Sequence, residues 1–160
     1  MKRAQIAMAP AEVAAFLEQE RVVTCATLGR DGWPHLMPLW YVLRTQPTSS
    51  AGTGGDELWA WTYAKSQKVR NLERDPRCTL QVEAGDSYDQ LRGVMLKAEA
   101  VLHRDLDTVT ALGEEIAVRY GGAALNDDAR AYVARQAAKR VGLQFQARDR
   151  ATWDHRKLVS

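Results

Sequence analysis

The feature that most restricts what this chain can fold into is an alternation of apolar and polar residues, two to a period, that recurs in segment after segment. Cys78, Leu80 and Val82 alternate with Thr79, Gln81 and Glu83, and Val94, Leu96, Ala98, Ala100 and Leu102 with Met95, Lys97 and Glu99. Successive side chains of an extended backbone point to opposite faces, so each run predicts a strand with one buried face. Val22–Leu28 is rich in β-branched residues, and G-R-D-G at residues 29–32 predicts a hairpin into a second strand over residues 36–43. Pro34 and Pro38 limit where that strand can donate ladder bonds. Residues 58–63 set Leu58, Ala60 and Thr62 against Trp59, Trp61 and Tyr63, and residues 141–147 close the series. Helical spacing predicts a helix from Pro10 to about Glu20, with Val13, Phe16 and Leu17 on one face. A second covers residues 106–120 and is stopped by Gly121 and Gly122; a third, capped by Asp127 or Asp128, runs to about Arg140. The strands do not alternate regularly with helices. About six antiparallel strands therefore predict a mainly β (α+β) barrel with flanking helices rather than a doubly wound sheet.

One junction in that order carries chemistry. Residues 62–76, T-Y-A-K-S-Q-K-V-R-N-L-E-R-D-P, join the aromatic strand to a short basic helix. Ser66 stands where it can cap that helix, which would aim free backbone N–H groups and a positive dipole end beyond the strand. Lys65 and Lys68 add full charges, a combination suited to phosphates and carboxylates. The same spacing also describes an ordinary solvated basic helix with Val69 and Leu72 facing the core, and position in the chain has to decide. Lys65, Lys68, Arg70, Arg74 and Arg77 oppose only Glu73 and Asp75. Most of the excess charge is therefore local, and it favours a small anionic ligand.

At 160 residues the chain suits one domain spanning residues 1–160, long enough to bury roughly 70% of its unfolded surface. Its 46% hydrophobic and 26% charged content argues against disorder, and its apolar runs are too short to cross a bilayer. No membrane partner is expected. The first ten residues lack an apolar secretory segment, which predicts a cytoplasmic protein. A net charge of +2 gives no reason to expect nucleic acid. Cys25 and Cys78 fall inside strands and read as buried thiols. His35, His103 and His155 lack the companions of a metal site, so no metal is expected. Residues 45–56 read as a flexible, dispensable loop, and residues 148–160 as a C-terminal tail.

Four segments in order resemble the flavin-reductase-type split β-barrel family that includes the pyridoxamine 5′-phosphate oxidase-like proteins. They are G-R-D-G-W-P-H-L-M-P-L-W-Y at residues 29–41, K-S-Q-K-V-R-N-L-E-R-D-P-R at 65–77, Y-D-Q-L-R-G-V-M-L-K-A-E-A at 88–100 and W-D-H-R-K-L at 153–158. The last is similar to the branch that uses the deazaflavin coenzyme F420. The resemblance implies an FMN-binding type of split barrel and a homodimer with cofactor at its interface. Lys65, Ser66 and Lys68 would bind phosphate, Thr62 and Asn71 would shape the pocket wall, and Pro38, Leu39 and Trp40 would border the ring. Ala98 stands where such relatives often have glycine.

The tail and the basic excess favour coenzyme F420, whose carboxylates Arg70, Arg74 or Arg77 could attract; FMN is the alternative. The activity implied is hydride transfer to a small conjugated or electron-poor acceptor over Trp40, Trp61 and Tyr88, with no catalytic residue required of the chain because the cofactor supplies the chemistry. Trp and Tyr in a barrel also serve as core or dimer packing. His35 is a candidate hydrogen-bond donor to the ring, and His155 either touches cofactor or docks the tail. The competing readings are an FMN-dependent oxidase of the pyridoxamine 5′-phosphate type and a non-catalytic carrier or sensor of a flavin or deazaflavin.

Overall fold

The computed structural model describes residues 3–46, 56–122 and 124–158, so most of the loop expected at 45–56 lies outside the described residues. The strands are β1 (Val22–Leu28), β2 (Pro34–Trp40), β3 (Val42–Thr45), β4 (Asp56–Tyr63), β5 (Arg77–Ala84), β6 (Arg92–His103) and β7 (Arg140–Asp154). The α-helices are α1 (Pro10–Gln19), α2 (Gln67–Arg74), α3 (Leu106–Gly121) and α4 (Asp127–Ala137). All strand pairs are antiparallel, and the order across the sheet is β2-β1-β5-β6-β7-β4-β3. This is the mainly β, helix-flanked half-barrel that the alternation predicts.

The run at residues 36–43, read as one strand, divides into β2 and β3, which form opposite edges of the sheet. Only Tyr41 separates them. One extended residue advances about 3.3 Å, so the sheet has to curl until its edges meet at this point. Tyr41 leaves the ladder because a side chain takes its backbone groups. Its N–H donates to the Tyr120 hydroxyl at 2.8 Å, and that hydroxyl lies 2.7 Å from the carbonyls of Tyr41 and Arg21. The Tyr41 side chain is 0% exposed and its own hydroxyl donates to Leu17 O at 2.6 Å, with Glu20 O at 3.1 Å. Burial pushes this phenol well above its ordinary range.

Inside the curl, Val23, Cys25, Leu58, Ala60, Leu80, Val82, Val94, Leu96, Leu143 and Phe145 form the core, with Phe16 and Leu17 of α1 and Val69 and Leu72 of α2 packed into it. The other face of β4 is buried too: Trp59 packs with Val42, Leu112 and Ile116 beneath α3. The approach of α3 requires Gly113, where a Cβ would lie 2.3 Å from Cζ3 of Trp61. Gly32, at φ +82°, turns the β1–β2 hairpin in the left-handed region.

Three boundaries differ from the expectation. Asn126, rather than Asp127 or Asp128, caps α4 by accepting from Ala129 N at 2.8 Å, and α4 ends at Ala137, so that Arg140 already opens β7. β7 continues through most of the expected tail to Asp154, because β6 offers ladder partners as far as Arg92; a turn at His155–Leu158 follows. The β6–β7 ladder shifts register between Lys97 and Ala98, passing over Arg148.

Replacing Tyr120 with Phe leaves the buried Tyr41 N–H without its acceptor. The expected loss is about 1–3 kcal/mol in urea unfolding, read as a lower midpoint at unchanged slope.

Candidate functional site

β4 delivers Thr62 to the inner face, Ala64 N bonds to Lys139 O at 2.9 Å, and Ser66 N donates to Tyr63 O at 3.0 Å, which turns the chain into α2. Ser66 is the N-cap residue by backbone geometry, but its hydroxyl does not cap the helix. Its Oγ is buried and has no hydrogen-bond partner among the described residues. The expectation of a side-chain cap is thus corrected: this hydroxyl accepts no hydrogen bond from the helix N–H groups.

Lys68 is the larger departure. It shares the buried face of α2 with Val69, Asn71 and Leu72, is only 6% exposed, and donates to Thr62 Oγ1 at 2.9 Å. It forms no ion pair with a carboxylate among the described residues. Burial lowers its proton affinity below the ordinary lysine range, and the neighbouring Cys25 partly offsets the shift. Cys25 is itself drawn down by a hydrogen bond from Cys78, which is pushed up in turn; both thiols are free and buried, as the sequence predicts. Lys65, by contrast, is exposed.

Asn71 is 0% exposed and fully engaged: Nδ2 donates to Thr27 Oγ1 at 3.0 Å, and Oδ1 accepts from Gln67 Nε2 at 2.9 Å. It ties α2 to β1. Thr27 stands opposite His35 in the β1–β2 register, as Cys25 does opposite Met37 and Val23 opposite Leu39. Residues directly across a ladder share a face. His35, Met37 and Leu39 therefore point to the side on which Lys68 lies, and His35 Nδ1 is a second buried polar atom without a partner among the described residues. Pro38 and Trp40 point outward. Trp40, 56% exposed, stacks on Tyr120 with ring centroids 4.4 Å apart and planes 6° from parallel.

The three aromatics expected around one acceptor do not converge within one chain. Trp61 packs against Gly113 of α3 and under the Arg140 guanidinium at 4.7 Å. Tyr88, 65% exposed, lies against the His155 ring at 4.6 Å, and His155 Nδ1 donates to the Tyr88 carbonyl at 2.8 Å. This turn adjoins the Ala84 end of β5, whereas α2 adjoins the Arg77 end, roughly 23 Å away along the strand.

Outside the buried cluster, the solvent face of α2 and the β1–β2 turn form an open cleft of about 660 Å³ lined by Arg30, Gln67, Arg70, Glu73 and Arg74. Arg77 is not part of it. Its guanidinium grips Asp75 at 2.7 Å and holds that carboxyl down to about 2. Sequence reasoning missed Arg30, which is forty residues from Arg70 in the chain, and Thr27 and Cys25, whose strand face was legible but whose facing partner Lys68 was not.

No helix of the described residues is long and apolar enough to cross a membrane, and they contain no group of three or more metal-ligating side chains.

The single curled sheet, with a cationic, partly unsatisfied polar cluster where β4 turns into α2, defines a split-barrel protein. The pyridoxamine 5′-phosphate oxidase family model matches residues 9–154, and the chain belongs to that family. A solved structure of a conserved hypothetical protein from Mycobacterium tuberculosis is 39% identical, covering 100% of this chain and 93% of its own with a TM-score of 0.85. Two more distant structures share the fold. An F420 reductase is 20% identical, covering 86% of this chain and 94% of its own at a TM-score of 0.62. An FAD-binding protein from Mesorhizobium loti is 17% identical, covering 91% and 92% at 0.61. No curated protein sequence matches the chain.

Replacing Lys68 with Met removes an ammonium from the interior. In the absence of ligand the variant is expected to unfold at equal or higher urea concentration, a gain of up to about 1 kcal/mol, while losing the stabilisation that an anionic ligand gives the parent.

Proposed function

We propose that this chain is a flavin-type oxidoreductase that binds the deazaflavin coenzyme F420 through the junction of β4 and α2 and promotes hydride transfer to a small conjugated or electron-poor acceptor. The observation that carries the reading is Lys68, a buried ammonium with no carboxylate paired to it among the described residues. An uncompensated interior charge costs several kcal/mol, so its persistence makes sense where a ligand supplies the anion. The unsatisfied Ser66 Oγ and His35 Nδ1 fit the same explanation, since each lacks a partner that a polar ligand brings.

The bound cofactor supplies the hydride, and the chain's part is to bind, orient and exclude water. Lys65 and Lys68 with the Ser66 hydroxyl hold the phosphate. Thr62 and Asn71 keep their own bonds and set the spacing between α2 and the sheet. Leu39 and Met37 give the ring an apolar wall along β2, with His35 as the hydrogen-bond donor at its edge. Pro38 and Trp40, on the outer face beside exposed Leu36 and Trp33, belong to the surface that a second copy covers in a homodimer. Because Tyr88 lies at the far end of β5, its acceptor-side role is exercised across that dimer. No residue of the chain is assigned a proton transfer.

The deciding experiment is a titration of cofactor-free protein with coenzyme F420 and, separately, with FMN, followed by tryptophan fluorescence, then an acceptor screen with reduced cofactor. The expected result is micromolar binding of the deazaflavin and faster cofactor oxidation when an acceptor is added. Preferential FMN binding would replace the cofactor; binding without turnover would make the chain a carrier. Lys65→Ala and Lys68→Ala should each weaken cofactor binding by about 1.5–3 kcal/mol.

The pH dependence has a definite sign. The protonated lysine holds the anion, so affinity should fall as pH rises through a titration lying below the ordinary lysine value of about 10.4.

A further inference from the structure

The inner face of the sheet beside Lys68 also holds a pair of thiols that hydride transfer leaves unused. In the β1–β5 ladder Cys25 stands across from Leu80 and Thr27 across from Cys78, so the two cysteines are diagonal neighbours on one face. Both are free, both are buried in the core cluster, and Cys78 donates its S–H to the Cys25 sulfur. Their surroundings make them unequal. The hydrogen bond from Cys78, with the Lys68 ammonium beyond it, favours the thiolate of Cys25 against the opposing effect of burial, whereas Cys78, as the donor, holds its proton. One strand carries both this pair and the proposed anion site. Thr27, two residues from Cys25 and directly across from Cys78, accepts from Asn71 Nδ2 at 3.0 Å, the bond that ties α2 to β1.

We infer that Cys25 and Cys78 are a redox-active dithiol, Cys25 the attacking thiol and Cys78 the resolving one, whose closure into a disulfide by a small hydroperoxide loosens the anion site beside it. Attack of the Cys25 sulfur on the O–O bond forms the Cys25 sulfenic acid and releases an alcohol, which takes up the Cys25 thiol proton. The Cys78 sulfur then attacks the Cys25 sulfur: the S–S bond forms, the S–O bond breaks, and water leaves with the Cys78 proton. The two thiols lose two electrons and the hydroperoxide gains them; with hydrogen peroxide both products are water. Burial of both thiols shuts out bulky disulfide reagents and selects an oxidant of this size. Geometry couples the bridge to the site. Diagonal neighbours stand about 7–8 Å apart at Cα, against the roughly 4.4–6.8 Å that a disulfide spans, so closure draws β1 and β5 together by about 1 Å. Thr27 moves with β1, and its bond to Asn71 gives way. A bridge made against that resistance is readily reduced again, as regulatory disulfides are. The bridge does not depend on which ligand the chain holds; its effect on cofactor binding rests on the proposed function.

The test treats the full, reduced, cofactor-free chain with hydrogen peroxide, destroys the excess, and counts thiols after denaturation alongside the intact mass. The expected product has lost both thiols and two hydrogens, has gained no oxygen, and recovers both thiols with dithiothreitol. Cys78→Ser should stop at the Cys25 sulfenic acid, trapped by dimedone, and Cys25→Ser should leave Cys78 unreacted. Thiols that survive peroxide in the folded parent overturn the proposal without recourse to either variant, as does a parent that takes up oxygen or links chain to chain instead of closing the bridge. A second arm titrates the reduced and the oxidised parent with coenzyme F420. The oxidised form should bind it about tenfold or more weakly, and bound coenzyme should shift the dithiol–disulfide balance towards the thiols by the same factor, because coupling between two sites is reciprocal. Equal affinity in both redox states overturns the coupling. If the reduced chain does not bind coenzyme F420 while the bridge still forms, the cofactor reading falls and the dithiol stands.

Discussion

A single residue closes this fold. The chain crosses from one edge of a seven-stranded sheet to the other through Tyr41, and the crossing holds because the Tyr120 hydroxyl serves both backbone groups of that residue. Without that bond a buried amide and carbonyl would lose their partners at the point where the sheet must bend most. The site depends on the closure. Curling brings β2 round until the half-buried His35 and Leu39, with the more exposed Met37 between them, lie on the same side of the sheet as Cys25, Thr27 and Lys68, and the side facing α2 becomes a concave wall instead of a flat sheet.

Much of this was legible in the sequence, and the limits were physical. Alternation identified both faces of β4 because each face is apolar for its own reason: Leu58 and Ala60 meet the barrel core, Trp59 and Trp61 meet α3. The break at Tyr41 left no trace in the pattern. Residues on either side of it are apolar on both faces, and period-two reading has no signal for a change of sheet edge when the strand direction is kept. Longer strands were missed for a simpler reason, since β7 past Ala147 loses its apolar face and is held by the backbone ladder with β6.

The site was half legible. The strand, the turn and the helix each lie where the composition put them, but a count of charges carries no information about the direction each one faces. Lys68 lies four residues before Leu72 and next to Val69, and this spacing already set it on the buried side of α2. Treated as surface charge, it conceals the more informative fact that it is interior. Arg30 could not be found from α2 at all, because only the hairpin fold brings it there.

Helix α1 has a further consequence for how the chain acquires its structure. It ends at Glu20 without the left-handed glycine that commonly closes a helix, and its last carbonyls are taken by the Arg119 guanidinium, which donates to Leu17, Glu18 and Glu20 at 3.0, 3.1 and 3.0 Å. During synthesis α1 leaves the ribosome well before α3, so it waits for a side chain made about a hundred residues later. Its closure is coupled to α3 and to the crossing at Tyr41, so these segments, distant in the chain, consolidate together, and a nascent chain that stops short of Arg119 cannot hold α1 as the mature protein does.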